Sequence, residues 1–380
     1  MCVMYLPELL SLIMKKSFNV LDLFCGAGGL SCGFEQAGFK ILLGIDNDKM
    51  ALETFENNHQ GTRVLNGDIT SISYQKDILP LVGNQKIDII IGGPPCQGFS
   101  IAGKRFIDDP RNQLYKGFVN LVDKLRPALF VMENVPNLIS LGNGQIKDNI
   151  VSDFKAINYF VTYAVLTASD FGVPQQRRRV FFVGINKDKV LNYNTFNFPK
   201  AIYGENKKSY ITTEDAISDL DFLTDKNIGT SPCSYFSAPQ SDYQREMRKN
   251  CQSLYNHTST VHTERVKNII HMVPDGENYK SLPIEYQNTR KVHIAWTRMN
   301  SKKPCFTIDT GHNHHFHYRA DRVPTPREVA RIQSFPDKYI FYGTRTAQLK
   351  QIGNAVPPLL AKALAIQICD FMEKNYVRPY

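Results

Sequence analysis

Between residues 18 and 185 the chain alternates short apolar runs with segments of helical periodicity, and that alternation leaves few folds open. Runs at 18–24 (FNVLDLF), 41–45 (ILLGI), 87–91 (IDIII), 128–132 (ALFVM), 160–166 and 180–185 (VFFVGI) read as strands, and 30–38 and 48–58 read as helices. The runs are nearly continuous rather than alternating apolar with polar, which is the pattern of strands buried on both faces. A mostly parallel sheet covered by helices on both sides follows, a doubly wound α/β fold in which ligands sit at the carboxyl ends of the strands.

After about residue 188 the texture changes. Residues 211–223 (ITTEDAISDLDFL) predict one amphipathic helix, and the stretch beyond it to about 320 is irregular and rich in Tyr, Asn, His and Thr. Order returns at 326–335 (PREVARIQSF), and 355–373 reads as a final helix. At 380 residues the chain exceeds a typical single domain. The expected division is an N-terminal extension (1–17), a catalytic core (18–188), a smaller irregular insert (189–321) and a return to the core (322–380). The apolar start at 1–14 is too short to span a bilayer and lacks the basic flank and cleavage site of a signal peptide. It reads as a docking helix or an extension outside the fold, with Met14 an alternative start. No membrane span is expected elsewhere.

Charge speaks to partners. The net charge of +9 favours a polyanionic ligand, and residues 241–303 hold eleven Lys or Arg against six Asp or Glu. A solvated surface insertion accounts for that local charge equally well. Eight cysteines without a CxxC pair, and no secretory signal, point to reduced thiols in a cytoplasmic protein.

Four strand ends carry the residues suited to chemistry. Residues 22–29 (DLFCGAGG) place glycines between a strand and a helix, where a ligand approaches bare backbone and free N–H groups. Asp46, ending the next strand, suits a ribose hydroxyl pair. Such a turn serves NAD, FAD or S-adenosylmethionine, and the departure from GxGxxG shifts weight away from nicotinamide. Residues 92–100 (GGPPCQGFS) hold Cys96 behind two prolines at a strand's carboxyl end. A lone cysteine is usually a small buried hydrophobe, but one fixed at the ligand edge of a parallel sheet is a candidate nucleophile. Glu133, in MENVP, is expensive to bury there without a ligand or partner. In QQRRRV (175–180) the alternate residues Arg177 and Arg179 face one side, although three consecutive arginines also read as a solvated turn.

The ordered set DLFCGAGG, GPPCQGFS, ENV, QQRRRV, RVPTPREVARIQSFPD and QIGNAVPP resembles the cytosine-5 DNA methyltransferase family of bacterial restriction–modification systems. The resemblance covers about 18–188 and 322–372. It implies a Rossmann-like fold dependent on S-adenosyl-L-methionine, with the insert as target-recognition domain. It also implies double-stranded DNA as partner, a monomeric protein, and a cognate restriction endonuclease in the same system.

The resemblance also assigns roles. Cys96 adds to carbon 6 of a cytosine extruded from the duplex, so that carbon 5 becomes nucleophilic. A protonated Glu133 bonds ring nitrogen 3, and Arg177 and Arg179 position the cytosine carbonyl or its phosphate and the thiolate. Phe24, Gly26, Gly28 and Gly29 cradle the cofactor. Asp46 takes the ribose, Asp68 and Ile69 hold adenine, and Pro94, Asn354 and Val356 complete the cofactor site. Asn47 stands where some relatives carry an aromatic against adenine. The 97–113 loop is expected to close over the flipped base, with Ser100, Lys104 and Arg105 near the backbone. Base reading is expected within 285–319, from Arg290, Lys291, Arg298, Asn313 and the 312–317 histidine cluster. That cluster is too tightly spaced for all its histidines to bind one zinc, and no metal is expected. Trp296 is a candidate for stacking on DNA, or simply core.

Two rival classes stand beside this reading: an RNA cytosine-5 methyltransferase, and a catalytically silent DNA-binding relative or nicotinamide enzyme. The basic insert favours DNA, and the complete set of Cys96, Glu133 and both arginines speaks against silence. An exocyclic-amine methyltransferase needs an aromatic clamp where this chain has Cys96.

Overall fold

The computed structural model describes residues 17–95, 112–223, 228–287, 296–310 and 315–377. Its centre is a seven-stranded sheet in the order β3-β2-β1-β4-β5-β7-β6. The chain enters through β1 (Asn19–Leu23), α1 (Gly29–Gln36), β2 (Lys40–Asp46), α2 (Lys49–Asn58), β3 (Arg63–Asn66) and β4 (Ile89–Gly92). It continues through α3 (Asn112–Leu125), β5 (Leu129–Asn134), α4 (Gln145–Ala156), β6 (Tyr159–Thr167) and β7 (Arg178–Asn186). Every pairing from β3 to β5 is parallel, and β7 alone runs antiparallel, between β5 and β6. Strand order reverses direction between β1 and β4, which opens a crevice at their carboxyl ends. The apolar runs fall on these strands. β3 (RVLN) lacks an apolar run because it is a short edge strand with partly exposed residues, so the sequence gives it no signal.

The continuous apolar runs are explained by two-sided burial. Val20, Ile89, Ile91, Leu129 and Val131 point to one face, where Leu30 and Phe34 of α1 and Leu360, Leu364 and Ile368 pack. Leu21, Leu23, Ile90, Phe130 and Met132 point to the other, against Phe118, Leu121 and Val122 of α3 and Ile150 and Phe154 of α4. Burying each such side chain contributes roughly 1.5–3 kcal/mol.

Beyond the sheet lie α5 (Thr213–Ile217), α6 (Asp242–Met247), α7 (Glu264–Met272) and the two-residue parallel strands β8 (Thr297–Arg298) and β9 (His315–Phe316). α8 (Pro326–Ile332), α9 (Arg345–Asn354) and α10 (Pro358–Asn375) follow. The single helix expected over 211–223 is only α5 and one 3-10 turn, Ser218–Leu220. Thr212 and Asp215 form a capping box that starts it. It stops where Asp219 turns inward to Arg331, with Nη1–Oδ1 at 2.7 Å. The helix expected over 355–373 is α10, starting at Pro358, with α9 separate before it.

α8 is buried along its whole length although it carries three charged residues. Each is paired, as a buried charge must be. Arg331 lies between Asp219 and Asp337, Glu328 accepts from Arg322 and from Thr325 N–H, and Arg327 donates to the carbonyls of Tyr255 and Tyr339. One apolar cluster combines Ala216, Ile217, Leu254 and Met299 with Val329, Ile332 and Phe335, and reaches Ala27 beside α1. Val190 and Phe196, in contrast, pack in the core of the sheet.

Candidate active site

The carboxyl ends of β1, β2, β4 and β5 meet at one cavity of about 790 Å³. From β1, the backbone turns through Phe24 (φ 61°) and Gly26 (φ 52°) before α1 begins. Asp46 holds that turn: its carboxylate accepts from Gly26 N–H at 2.8 Å and Asp48 N–H at 2.9 Å. A side chain built on Gly26 would meet nothing within 4 Å, so the turn presents bare backbone to open space. Phe24, Gly26, Gly29, Asp46, Asp68, Ile69, Pro94, Asn354 and Val356 all line the cavity, with Asn47 beside them. Gly28 does not. It caps α1 in the left-handed conformation (φ 88°), and its α-carbon faces His59 and Tyr339. A Cβ at this position would meet both side chains, so Gly28 also serves the packing behind the turn.

Asp22, also in the wall, was not expected to contribute. It is 1% exposed and accepts from Ser31 Oγ at 2.6 Å. Burial above all, opposed by that hydrogen bond, pushes its carboxyl up to about 8.

At the neighbouring strand ends, Gly93, Pro94 and Pro95 follow β4 and Glu133 and Asn134 close β5, all facing the cavity. Asn134 ties the two together by donating to Pro94 O at 2.9 Å, while its own carbonyl accepts from Val135 N–H. Gly93 leaves room for the acid, since a Cβ there would stand 2.9 Å from Glu133 Oε2. Glu133 pairs with Arg179, Nε to Oε1 at 2.8 Å. Burial nevertheless raises the Glu133 pKa, with Arg179 and Arg177 opposing the rise.

The two arginines expected to act together do different things. Arg179 meets the acid, whereas Arg177 is 1% exposed and donates to Gly353 O at 2.7 Å and Ile308 O at 3.3 Å. Arg177 is a strut joining β7 to the ends of two distant segments, although it still borders the cavity. The 307–310 segment forms a further wall that no sequence motif announces. Gln175 secures it by accepting from Ile308 N–H.

Several expected residues lie outside the described residues: Cys96, Ser100, Lys104, Arg105, Arg290, Lys291, Asn313, and His312 and His314. Among those described, Arg298 is corrected. It is 5% exposed, and its guanidinium donates to the carbonyls of Val273, Ile270 and His317 and pairs with Asp321 at 3.0 Å. It holds α7 to β8 and is not presented for base reading. His315 and His317 are likewise buried, the latter accepting from Arg319 and Ala320 N–H. Trp296 packs against the small cluster of Ile269, Ile270 and Phe316. Among the described residues, no group of three or more His, Cys, Asp or Glu is placed to hold a metal.

A seven-stranded sheet with one antiparallel strand, a glycine turn after β1 and an acid closing β2 defines the Rossmann-like class of S-adenosylmethionine-dependent methyltransferases. The profile of the C-5 cytosine-specific DNA methylase family matches residues 18–370, and the chain belongs to that family. The Type II methyltransferase M.DdeI of Desulfomicrobium norvegicum is 38% identical, over 93% of this chain and 89% of that protein. The Type II methyltransferase M1.HphI of Haemophilus parahaemolyticus is 36% identical, over 93% and 87%. Among solved structures, a prophage-encoded E. coli protein designated a DNA modification methyltransferase superposes with a TM-score of 0.77. It is 28% identical and covers 94% of this chain and 100% of its own. Spodoptera frugiperda DNMT2, at 17% identity and a TM-score of 0.59, covers 93% and 100% and shares the fold.

The protein is thus a DNA cytosine-5 methyltransferase with S-adenosyl-L-methionine as methyl donor. The lining suits that cofactor. Gly26 offers an uncovered turn, and the Asp46 and Asp68 carboxylates line the same cavity as acceptors suited to hydroxyl and amine donors of such a ligand.

Proposed function

We propose that the protein methylates carbon 5 of a flipped cytosine within a specific duplex sequence, through a covalent adduct on Cys96, as the modification enzyme of a restriction system. The observation that carries this reading is the largely buried Glu133–Arg179 pair, facing the same cavity as Pro94, Pro95 and the glycine turn. Cys96 follows Pro95 directly in sequence. The high identity to Type II methyltransferases over nearly the whole chain supports the restriction-system context.

When bound, S-adenosylmethionine supplies an electrophilic methyl group. The chain's residues do the rest. The Cys96 thiolate adds to carbon 6 of cytosine, which breaks the ring's aromaticity and loads electron density onto carbon 5. Glu133 in its neutral form donates to ring nitrogen 3 and offsets the charge that addition develops there. Its burial favours the protonated form this needs. Arg179 orients that carboxyl and lies close enough to meet the pyrimidine carbonyl. After transfer, a base removes the carbon 5 proton and Cys96 leaves. Phe24, Gly26 and Gly29 cradle the methionine and ribose parts and Asp46 takes the ribose hydroxyls. Asp68 and Ile69 hold adenine, and Pro94, Asn354 and Val356 close the site.

Residues 189–321 supply target recognition, with Arg290, Lys291 and Asn313 as base readers and Ser100, Lys104 and Arg105 on the target strand. The enzyme works as a monomer in the cytoplasm, away from membranes, alongside a cognate endonuclease that it need not touch. The one candidate span among the described residues covers α9 and α10, and α10 packs on the sheet through Leu360, Leu364 and Ile368 as a core helix.

Bisulfite sequencing of DNA from cells expressing the protein tests activity, product position and sequence context together. Duplexes carrying 5-fluorocytosine at the methylated position should trap a covalent complex with the native protein and none with Cys96→Ala. Trapping by Cys96→Ala, or methyl transfer to tRNA in preference to duplex DNA, would overturn the reading.

A further inference from the structure

The glycine turn is held from outside the cavity by a chain of three side chains. Tyr339, which follows the SFPD segment, donates its hydroxyl proton to Ala27 O. Ala27 precedes the N-cap of α1, so no N–H of that helix reaches its carbonyl. Because the Tyr339 hydroxyl proton is committed, its oxygen is left to accept, and His59 Nε2 lies 2.8 Å away. The other ring nitrogen, Nδ1, is 2.7 Å from Glu35 Oε2. A contact of that length between imidazole and carboxylate needs a proton between them. With the Tyr339 proton on Ala27 O, Nε2 is the donor toward the Tyr339 oxygen, and Nδ1 and the Glu35 carboxyl share a proton on the far side of the ring. His59 is 1% exposed and stacks on Phe55 at 4.2 Å, so it has little freedom to turn away.

A second observation ties the chain to the cofactor turn. A side chain at Gly28 would collide with His59 Nε2 and would stand 2.7 Å from the Tyr339 hydroxyl. Glycine at this position therefore lets the imidazole and phenol reach the turn. Cys25, Gly26 and Ala27 line the cavity on one side, and Tyr339 and His59 lie behind them.

We propose that Glu35, His59 and Tyr339 form a positioning relay for the cofactor, in which the Tyr339 hydroxyl fixes the Ala27 carbonyl and so sets the glycine turn for binding. None of the three touches the cavity, so their effect reaches the ligand only through backbone geometry. The proposal rests on the reading that this cavity takes S-adenosylmethionine.

The test is calorimetric binding of S-adenosylhomocysteine to the full-length protein, with KM and kcat measured alongside. Tyr339→Phe keeps the ring and removes the donor. It should weaken binding and raise KM for S-adenosylmethionine about tenfold, while kcat at saturating cofactor stays within about twofold. His59→Gln, which keeps a donor toward Tyr339, should recover more affinity than His59→Leu. Glu35→Gln, at a partly exposed position, keeps the fold if the buried substitutions do not, and should weaken binding about threefold. Arg298→Met, in the distant module, controls for a general loss of stability and should bind S-adenosylhomocysteine normally. If the native protein binds no S-adenosylhomocysteine, the cofactor reading itself falls. If it binds, and Tyr339→Phe and Glu35→Gln bind equally well, the relay alone falls. An equal drop in the Arg298→Met control would reduce the relay to ordinary packing.

Discussion

Arg179 Nε stands 2.8 Å from Glu133 Oε1, although the two residues belong to antiparallel neighbours, β7 and β5. The sheet register accounts for the meeting. Phe181 is the cross-strand partner of Glu133, and Arg179, two residues along, shares its face. Two forces then oppose each other on one carboxyl. Burial raises its pKa and the guanidinium lowers it, with burial prevailing.

That balance predicts a pH signature. If the neutral acid donates to the pyrimidine, kcat/KM should fall as pH rises through the elevated Glu133 pKa, above the ordinary carboxylate range. Replacing Arg179 by Met removes a lowering influence, so the alkaline limb should move to higher pH. The rate itself should drop on the order of 100-fold. A limb that moves down, or stays in place, would exclude Glu133 as the titrating acid.

Gly93 sets the position of the same acid. Gly93→Ala places a methyl group 2.9 Å from Glu133 Oε2, and the carboxyl must shift. We expect kcat to fall about 10- to 100-fold, with S-adenosylhomocysteine affinity within about threefold of the native value. Single-turnover methylation and calorimetry separate the two, and an equal loss in both would mean that the whole turn had moved.

Asp22 gives a stability prediction. Its carboxyl is pushed from 3.8 up to about 8 by burial, so the folded state holds this proton more tightly than the unfolded chain. The stability carried by the neutral form is complete below about pH 4 and is lost as pH rises through about 8. Asp22→Asn cannot ionise and can still accept from Ser31. Between about pH 6 and pH 9, urea unfolding should show the native protein losing about 2–3 kcal/mol more than the variant. Parallel pH curves would refute the buried neutral acid.

Arg298 separates scaffold from reader. Its guanidinium is spent on carbonyls of α7 and the 317–320 segment. Arg298→Met should cost about 2–4 kcal/mol of stability by leaving those carbonyls without donors. Bisulfite sequencing should show an unchanged methylated sequence. A broadened or altered sequence context, in a variant of native stability, would return Arg298 to the DNA interface.

Much of the fold was legible because its signals are local. Strands buried on both faces advertise themselves as unbroken apolar runs, and β1, β2, β4, β5 and β7 lie where such runs occur, while β6, a partly exposed edge strand, was legible from its apolar and β-branched residues. β3 lacked the signal because a short edge strand needs no second apolar face. The amphipathic pattern over 211–223 promised one long helix, but a tertiary ion pair from Asp219 to Arg331 ends α5 early. Within the site, the strand-end residues Asp46, Pro94 and Glu133 were legible, since strand ends at a switch point are where ligands sit. The 307–310 wall was not, because nothing in its sequence marks which side chain of a distant strand will hold it.

The amino-acid sequence by itself determined the parallel sheet, the family and the residue types available for chemistry, because periodicity and ordered motifs are properties of the chain alone. Tertiary structure decided which of two equivalent-looking arginines meets the acid, that Gly28 faces His59 and Tyr339 instead of the cavity, and that Arg298 is spent on buried carbonyls. Those choices depend on which groups burial brings within hydrogen-bond distance. That distance is set by the packing of segments far apart in sequence, which no local pattern encodes.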